Sequence, residues 1–122
     1  MTVALLVVAG ACGALARYEV ELAVRRRVGG SFPFGTLLIN VSGSFVLGVL
    51  AGLAAHRGVP GTVVTVAGTG LLGSYTTFST FSLDTVGLAE TRRPGAAAAN
   101  IGAGLTLGLG AAAVGLVVGH FL

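Results

Sequence analysis

Four apolar segments follow one another along this chain, parted only by short polar breaks, and that pattern leaves few folds open. Charged residues make up 9% of its 122 residues. Soluble domains carry about 25%, because water must solvate their surfaces. A chain this poor in charge, with a mean hydropathy of +0.96, cannot cover a water-facing surface, so the bilayer is the expected solvent. Four spans of about 20 residues each would consume most of the chain and leave little for a soluble catalytic domain. The expected fold class is all-α and integral to the membrane, a single domain over 1–122.

The first apolar run, 2–16, is too short to cross ~30 Å of hydrocarbon at ~1.5 Å per residue. Its helix is therefore expected to continue through Arg17 and Tyr18 to Val24, with Arg25-Arg26-Arg27 ending it at the interface. Gly29-Gly30-Ser31 and Pro33 form a turn. The second span is expected over 34–55, closed by His56-Arg57-Gly58. Pro60 opens a third over 61–89, the loop 90–95 follows, and a fourth covers 96–122. No positive residue precedes the apolar run from Val3, so a cleaved leader is not expected. Glycine accounts for 21 residues. Interleaved with Ala, Val and Leu, these predict closely approaching helix faces, as at Gly48 and Gly52.

The third segment is not uniform. It is apolar from Val63 to Leu72 and then becomes Gly73-Ser74-Tyr75-Thr76-Thr77-Phe78-Ser79-Thr80-Phe81-Ser82. Glycine followed by a hydroxyl-rich, β-branched and aromatic stretch is a poor continuous helix. Lipid cannot satisfy freed backbone groups, so a break here must be buried in protein or line a polar cavity.

No enzyme constellation is present. His56 and His120 fall in a loop and near the C-terminus, without a nucleophile arranged beside them. The seven basic residues are all Arg, so no phosphate-binding Gly-Lys-Ser/Thr pattern exists. Cys12 is alone, which leaves no internal disulfide or Cys-based metal site. No basic stripe with interleaved aromatics marks a nucleic-acid face. The polar inventory expected inside the membrane suits a different task and includes four neutral groups: Asn40, Thr36 one turn before it, and Ser79 and Thr80. Such groups donate hydrogen bonds without charge, which is what a small, strongly hydrated anion needs to replace its water. Phe78 and Phe81 fall on one helical face, and the positive edges of their rings could favour an anion. Interhelical hydrogen bonding by Asn40 and plain packing by the phenylalanines are the competing reading.

Phe34-Gly-Thr-Leu-Leu-Ile-Asn40, with Gly43 and Phe45 after it, resembles the second-helix motif of the Fluc (CrcB) fluoride channels. The run Gly70 to Phe81 resembles that family's third-helix signature, and Gly13-Ala14 followed by Arg17-Tyr18 its first-helix motif. The resemblance implies an antiparallel, dual-topology dimer with fluoride pores between its subunits. It implies a broken third helix, with the Gly73 and Thr76 carbonyls holding a structural, untransported sodium ion at the dimer centre. Phe78 and Phe81 match pore phenylalanines and Asn40 the pore asparagine. Thr36, Ser79 and Thr80 match parts of a polar track. Arg17 and Asp84 match accessory positions, Asp84 standing where relatives usually have glutamate. Ser74 replaces a customary glycine. Asn100 and Thr106 are the internal polar groups of the fourth segment, and Gly104 and Gly108 stand where serine is common in relatives. That departure predicts a weakened pore along this helix.

Two competing functions are a small proton-coupled exporter, which needs an exchangeable carboxylate within the membrane, and a structural membrane subunit. Topology follows the Lys/Arg balance of short loops. Arg25, Arg26, Arg27, Arg92 and Arg93 follow the first and third helices, against Arg57 on the other side. That imbalance predicts a heterodimer with an oppositely oriented paralogous subunit, a homodimer being the alternative, with fluoride and membrane lipid as the other partners.

Overall fold

A computed structural model describes residues 1–122, all of the regular structure being helical. Three helices are long and apolar enough to cross a membrane: α1 (Thr2–Val28), α2 (Phe34–Arg57) and the last helix, α5 (Pro94–Phe121). Between α2 and α5 lie two shorter helices. The first, α3 (61–75), starts as Gly61–Val64, widens into π-helical turns over Thr65–Leu72 and closes as Gly73–Tyr75. The second, α4, spans Phe78–Glu90.

The helix ends follow local chemistry. α1 runs on through Arg25, Arg26 and Arg27, past the end expected at Val24. Cations in a last turn complement the free carbonyls there and can reach the interface on their long stems. His56 belongs to the last turn of α2 rather than to a loop, and Gly58, in the left-handed conformation at φ 62°, stops that helix. Pro94 stands at the start of α5, where its missing N–H costs nothing.

Two glycine-lined seams hold the bundle. Along α2 and α5, a Cβ at Gly48 would lie 2.2 Å from the Ala112 carbonyl oxygen. One at Gly52 would lie 2.5 Å from that of Leu116, one at Gly115 2.1 Å from Phe45, and one at Gly119 2.2 Å from Val49. The glycines of each helix are four apart, so both backbones present a flat strip to the other. In lipid such close packing, rather than exclusion of water, drives helices together. The second seam joins α1 to α3. A Cβ at Gly13 would sit 2.1 Å from the Leu71 carbonyl oxygen, and one at Gly70 3.3 Å from that of Leu6. The π-helical turns of α3 therefore lie directly against α1.

Polar groups fill much of the centre. Among the least exposed side chains are Thr36, Ile39 and Asn100. The outside is apolar, with Leu109 and Leu83 each more than 70% exposed. That is the surface a bilayer covers.

Candidate functional site

Thr76 and Thr77 leave the helical conformation, at ψ 158° and ψ 125°, and separate α3 from α4. The break lies three residues after Gly73, which itself remains helical. Two consecutive β-branched residues give way here, rather than the glycine before them.

Asn40 spans the break from α2. Its Oδ1 accepts from the Thr77 N–H at 2.8 Å, and its Nδ2 donates to the Thr77 carbonyl at 2.9 Å. One side chain thus satisfies both backbone groups of one extended residue, as a neighbouring strand would. Thr77 then caps α4: its Oγ1 accepts from the Thr80 N–H at 3.2 Å and donates to Thr80 Oγ1 at 3.1 Å. Ser79 Oγ lies 3.3 Å from the same hydroxyl. Thr76 turns back on α3, its N–H and its Oγ1 each donating to the Leu72 carbonyl at 2.9 Å. Tyr75 OH shares a hydrogen bond of 2.9 Å with Ser42 Oγ. Gly43 lets α2 come this close, since a Cβ there would lie 2.3 Å from Thr76 Cγ2.

Two cavities meet at Thr77. One, of about 310 Å³, is lined by Asn40, Gly43, Gly73, Thr76, Thr77 and Phe78 among others. It brings the two residues expected at a cation together with the expected pore asparagine and the first pore phenylalanine. The other, of about 230 Å³, includes Arg17, Tyr18, Glu21, Thr36, Thr77 and Thr80. Three more of the expected residues, Arg17, Thr36 and Thr80, are thus gathered at a second cavity that shares Thr77. The hydroxyls also surround the first turn of α4, whose free N–H groups favour negative charge.

Phe78 and Phe81 remain an aromatic pair but meet different surroundings. Their ring centroids are 6.0 Å apart with planes tilted by 40°. Phe78 is 80% exposed. Phe81 lies on α5 instead, where a Cβ on Gly104 would come within 2.9 Å of its Cε2. Gly104, where the resemblance implies a hydroxyl, therefore makes room for an aromatic ring. Asn100 stabilises the same corner, donating to Thr85 Oγ1 at 2.9 Å, which in turn donates to the Phe81 carbonyl at 2.8 Å.

Carboxylates gather toward one end. Thr36 Oγ1 donates to Asp84 Oδ2 at 2.8 Å. Glu21 pairs with Arg25 at 2.8 Å and lies over Gly35, in the first turn of α2. Thr36 is only 2% exposed, so Thr36→Val removes a charge-assisted hydrogen bond without opening a large cavity. It should destabilise the protein by about 2 kcal/mol, whereas Thr36→Ser should keep most of the stability. Thermal unfolding of both variants in detergent checks this, and equal midpoints would discard the bond as a stabilising feature.

The family model described as CrcB-like protein, Camphor Resistance (CrcB), matches residues 4–116. The chain belongs to the CrcB-like family. It is 46% identical over 112 residues to the Fluoride-specific ion channel FluC 1 of Leifsonia xyli subsp. xyli, spanning 92% of this chain and 82% of that one. It is 45% identical over 106 residues to FluC 2 of Mycobacterium tuberculosis, spanning 87% of this chain and 81% of the relative. The FluC of Cereibacter sphaeroides is also 45% identical, over 110 residues, or 90% and 84% of the two chains. This is a family of ion channels, not enzymes. With three long apolar helices, this member is a multi-pass membrane protein.

Sequence reasoning missed Thr77, the hub of the site in this family member. Its signal was present: a threonine three residues before Thr80, at the start of a helical stretch, is a helix cap by spacing. It also missed the edge-to-face contact of His56 with His120, whose ring centroids are 3.7 Å apart at the far ends of α2 and α5. Those residues are 64 positions apart, and only the glycine seam brings them together.

Proposed function

We propose that this chain is one subunit of a passive fluoride channel that lowers cytoplasmic fluoride and its toxicity. The observation that carries the reading is the neutral donor cluster at the helix break. Asn40, Thr77, Ser79 and Thr80 converge there, and the N-terminus of α4 adds its dipole. The names of the relatives support fluoride as the permeant ion.

Four crossings follow if α3 and α4 traverse the bilayer as two half-helices, of about 22 Å and about 20 Å, joined at Thr76–Thr77. A break at that depth is stable only against protein or a polar cavity. The exposed Phe78 and the open cavity beside it are the surface that an antiparallel second subunit would cover, as homodimer or as heterodimer with a paralogue. Numbered names among the relatives, FluC 1 and FluC 2, fit paired subunits.

Sodium fits the same surface. In a continuous helix the Gly73 carbonyl would accept from the Thr77 N–H and the Thr76 carbonyl from the Thr80 N–H. Both donors are taken elsewhere, by Asn40 Oδ1 and Thr77 Oγ1. Two released carbonyls beside a cavity, doubled by a second subunit, suit a hard cation that takes oxygen ligands. A structural sodium ion there would hold the subunits together and itself stay in place.

The exporter reading has no carboxylate at the helix break. Glu21 is paired with Arg25 beside the first turn of α2, and Asp84 bonds Thr36 in that same turn. A purely structural subunit would not need the hydroxyl cluster.

Liposomes holding the assembled channel, this chain together with its oppositely oriented partner, should release fluoride on relief of the potential and retain chloride. Equal passage of the two anions would refute the reading. Phe78→Ile, which removes an exposed ring edge without touching the core, should cut flux at least tenfold while assembly persists. Parental flux from that variant would remove Phe78 from the pore.

A further inference from the structure

Asn40 has more hydrogen-bonding work on the backbone than a pore donor needs. Its Oδ1 holds the Thr77 N–H at 2.8 Å, and its Nδ2 holds the Thr77 carbonyl at 2.9 Å. One N–H of the amide is left for the cavity. Thr77 Oγ1 does a parallel job, holding the Thr80 N–H at 3.2 Å. The two captured donors are those a regular helix would close onto the carbonyls of Gly73 and Thr76. The backbone N–H of Thr76 shows the alternative, for it returns to the Leu72 carbonyl in ordinary helical fashion at 2.9 Å.

We propose that Asn40 and Thr77 are positioning residues that create the cation site, by capturing the two N–H groups that would otherwise occupy the Gly73 and Thr76 carbonyls. Asn40 thereby couples the two halves of the site. Its amide faces the cavity shared with Phe78, and its grip on Thr77 keeps the Gly73 oxygen free. Thr77 acts in the same way on the Thr76 oxygen while organising Ser79 and Thr80 around the first turn of α4. Neither residue would be a cation ligand itself, for the liganding oxygens are backbone carbonyls. Release of either captured N–H lets it close onto its helical carbonyl, one more hydrogen bond, and withdraws one oxygen per subunit.

This inference rests on the sodium reading, and two readouts keep them separable. The first is the sodium dependence of the thermal midpoint of the assembled full-length protein in detergent, with N-methylglucamine replacing sodium. A ligand that binds only the folded assembly raises that midpoint with concentration. The second is fluoride efflux from liposomes. Asn40→Ala frees the Thr77 N–H and should raise the half-effective sodium concentration about tenfold, the order expected for one hydrogen bond. Asn40→Asp keeps an oxygen acceptor for that N–H but loses the donor to the Thr77 carbonyl, so its sodium response should weaken less than that of Asn40→Ala. Its flux should fall sharply, because a fixed negative charge then faces the anion.

Thr77→Val should weaken the sodium response as Asn40→Ala does, and Thr77→Ser should restore it. This pair serves if Asn40→Ala yields no assembled protein. Sodium dependence that Asn40→Ala and Thr77→Val both leave unchanged overturns the inference alone, as does equal weakening by Asn40→Ala and Asn40→Asp. A parent indifferent to sodium overturns the sodium reading, and this inference with it.

Discussion

Gly115→Leu should yield no assembled protein, and Gly115→Ala should lower the thermal midpoint by about 10 °C. A Cβ at this position would meet the Phe45 carbonyl oxygen at 2.1 Å, its carbon at 3.0 Å and the Val49 N at 3.0 Å. All three are backbone atoms of a regular helix, so no side chain can rotate away. The helices must separate instead, and the loss spreads along the seam to Gly48, Gly52 and Gly119. Forced overpacking costs about 1–3 kcal/mol and more where the backbone must move. In a domain of this size about 3 kcal/mol corresponds to roughly 10 °C. Gly110 is the control on the same helix, with nothing within 4 Å of its would-be Cβ. Gly110→Ala should hold or raise the midpoint, since alanine favours helix by about 1 kcal/mol. Melting of the three variants in one detergent gives the answer. Equal losses from Gly110→Ala and Gly115→Ala would show that the α2–α5 seam does not govern stability.

The seam also shows which parts of the fold a sequence displays. Gly48 and Gly52 announce a close approach because glycine four apart in an apolar run has little other use. The partner, Gly115 and Gly119, carries the same spacing. It is hidden in a segment with seven glycines, and composition does not say which of them touch α2. The helix break was legible as a stretch with poor helical propensity, but its position was not. Gly73 stays helical, and the backbone turns out at Thr76 and Thr77 because Asn40, 37 residues upstream of Thr77, is there to receive it. Local propensity cannot contain a bond over that distance. The π-helical turns of 65–72 were illegible for a related reason. They lie against Gly13 of α1, and an argument built on a 3.6-residue period assumes the regular helix from which they depart.

The residues gathered at the break divide the same way. Asn40, Thr36, Phe78, Ser79 and Thr80 stand out in sequence as polar or aromatic groups in apolar spans. What they do there depends on partners. Thr36 turns to Asp84, and Phe81 turns to Gly104 and away from the cavity that Phe78 borders. The last helix, α5, lacks the hydroxyls expected at 104 and 108, and at 104 a side chain would meet Phe81. Any side chain there displaces the Phe81 ring. Residue types point to candidates, and packing decides which of them face the same space.

The chain should insert in one dominant orientation, with both termini outside, and conduct only with an oppositely oriented partner. Arg93 donates to Ser31, which ties the loop after α4 to the loop after α1. Arg25, Arg26, Arg27, Arg92 and Arg93 therefore lie toward one end of the bundle. Arg57 donates to the Leu122 carbonyl at the other end, where the rings of His56 and His120 meet edge to face. Short loops rich in Arg stay cytoplasmic, and five against one is a strong imbalance. An antiparallel assembly from this chain alone would place five arginines on the outside in half of its subunits. A paralogue with the opposite bias avoids that, and it can present fourth-helix hydroxyls where this chain has Gly104 and Gly108. Charge is the lever for testing this. Arg92→Gln with Arg93→Gln leaves three arginines against one and should make insertion visibly mixed. Adding two further arginines to the 58–60 turn of that variant balances the ends and should bring the two orientations close to equal. Protease-cleavable tags at each terminus, probed from both faces of intact cells, give the ratio directly. Equal exposure of the parent's termini on both faces, with fluoride flux from the parent alone, would overturn the paired-subunit assembly in favour of a dual-topology homodimer.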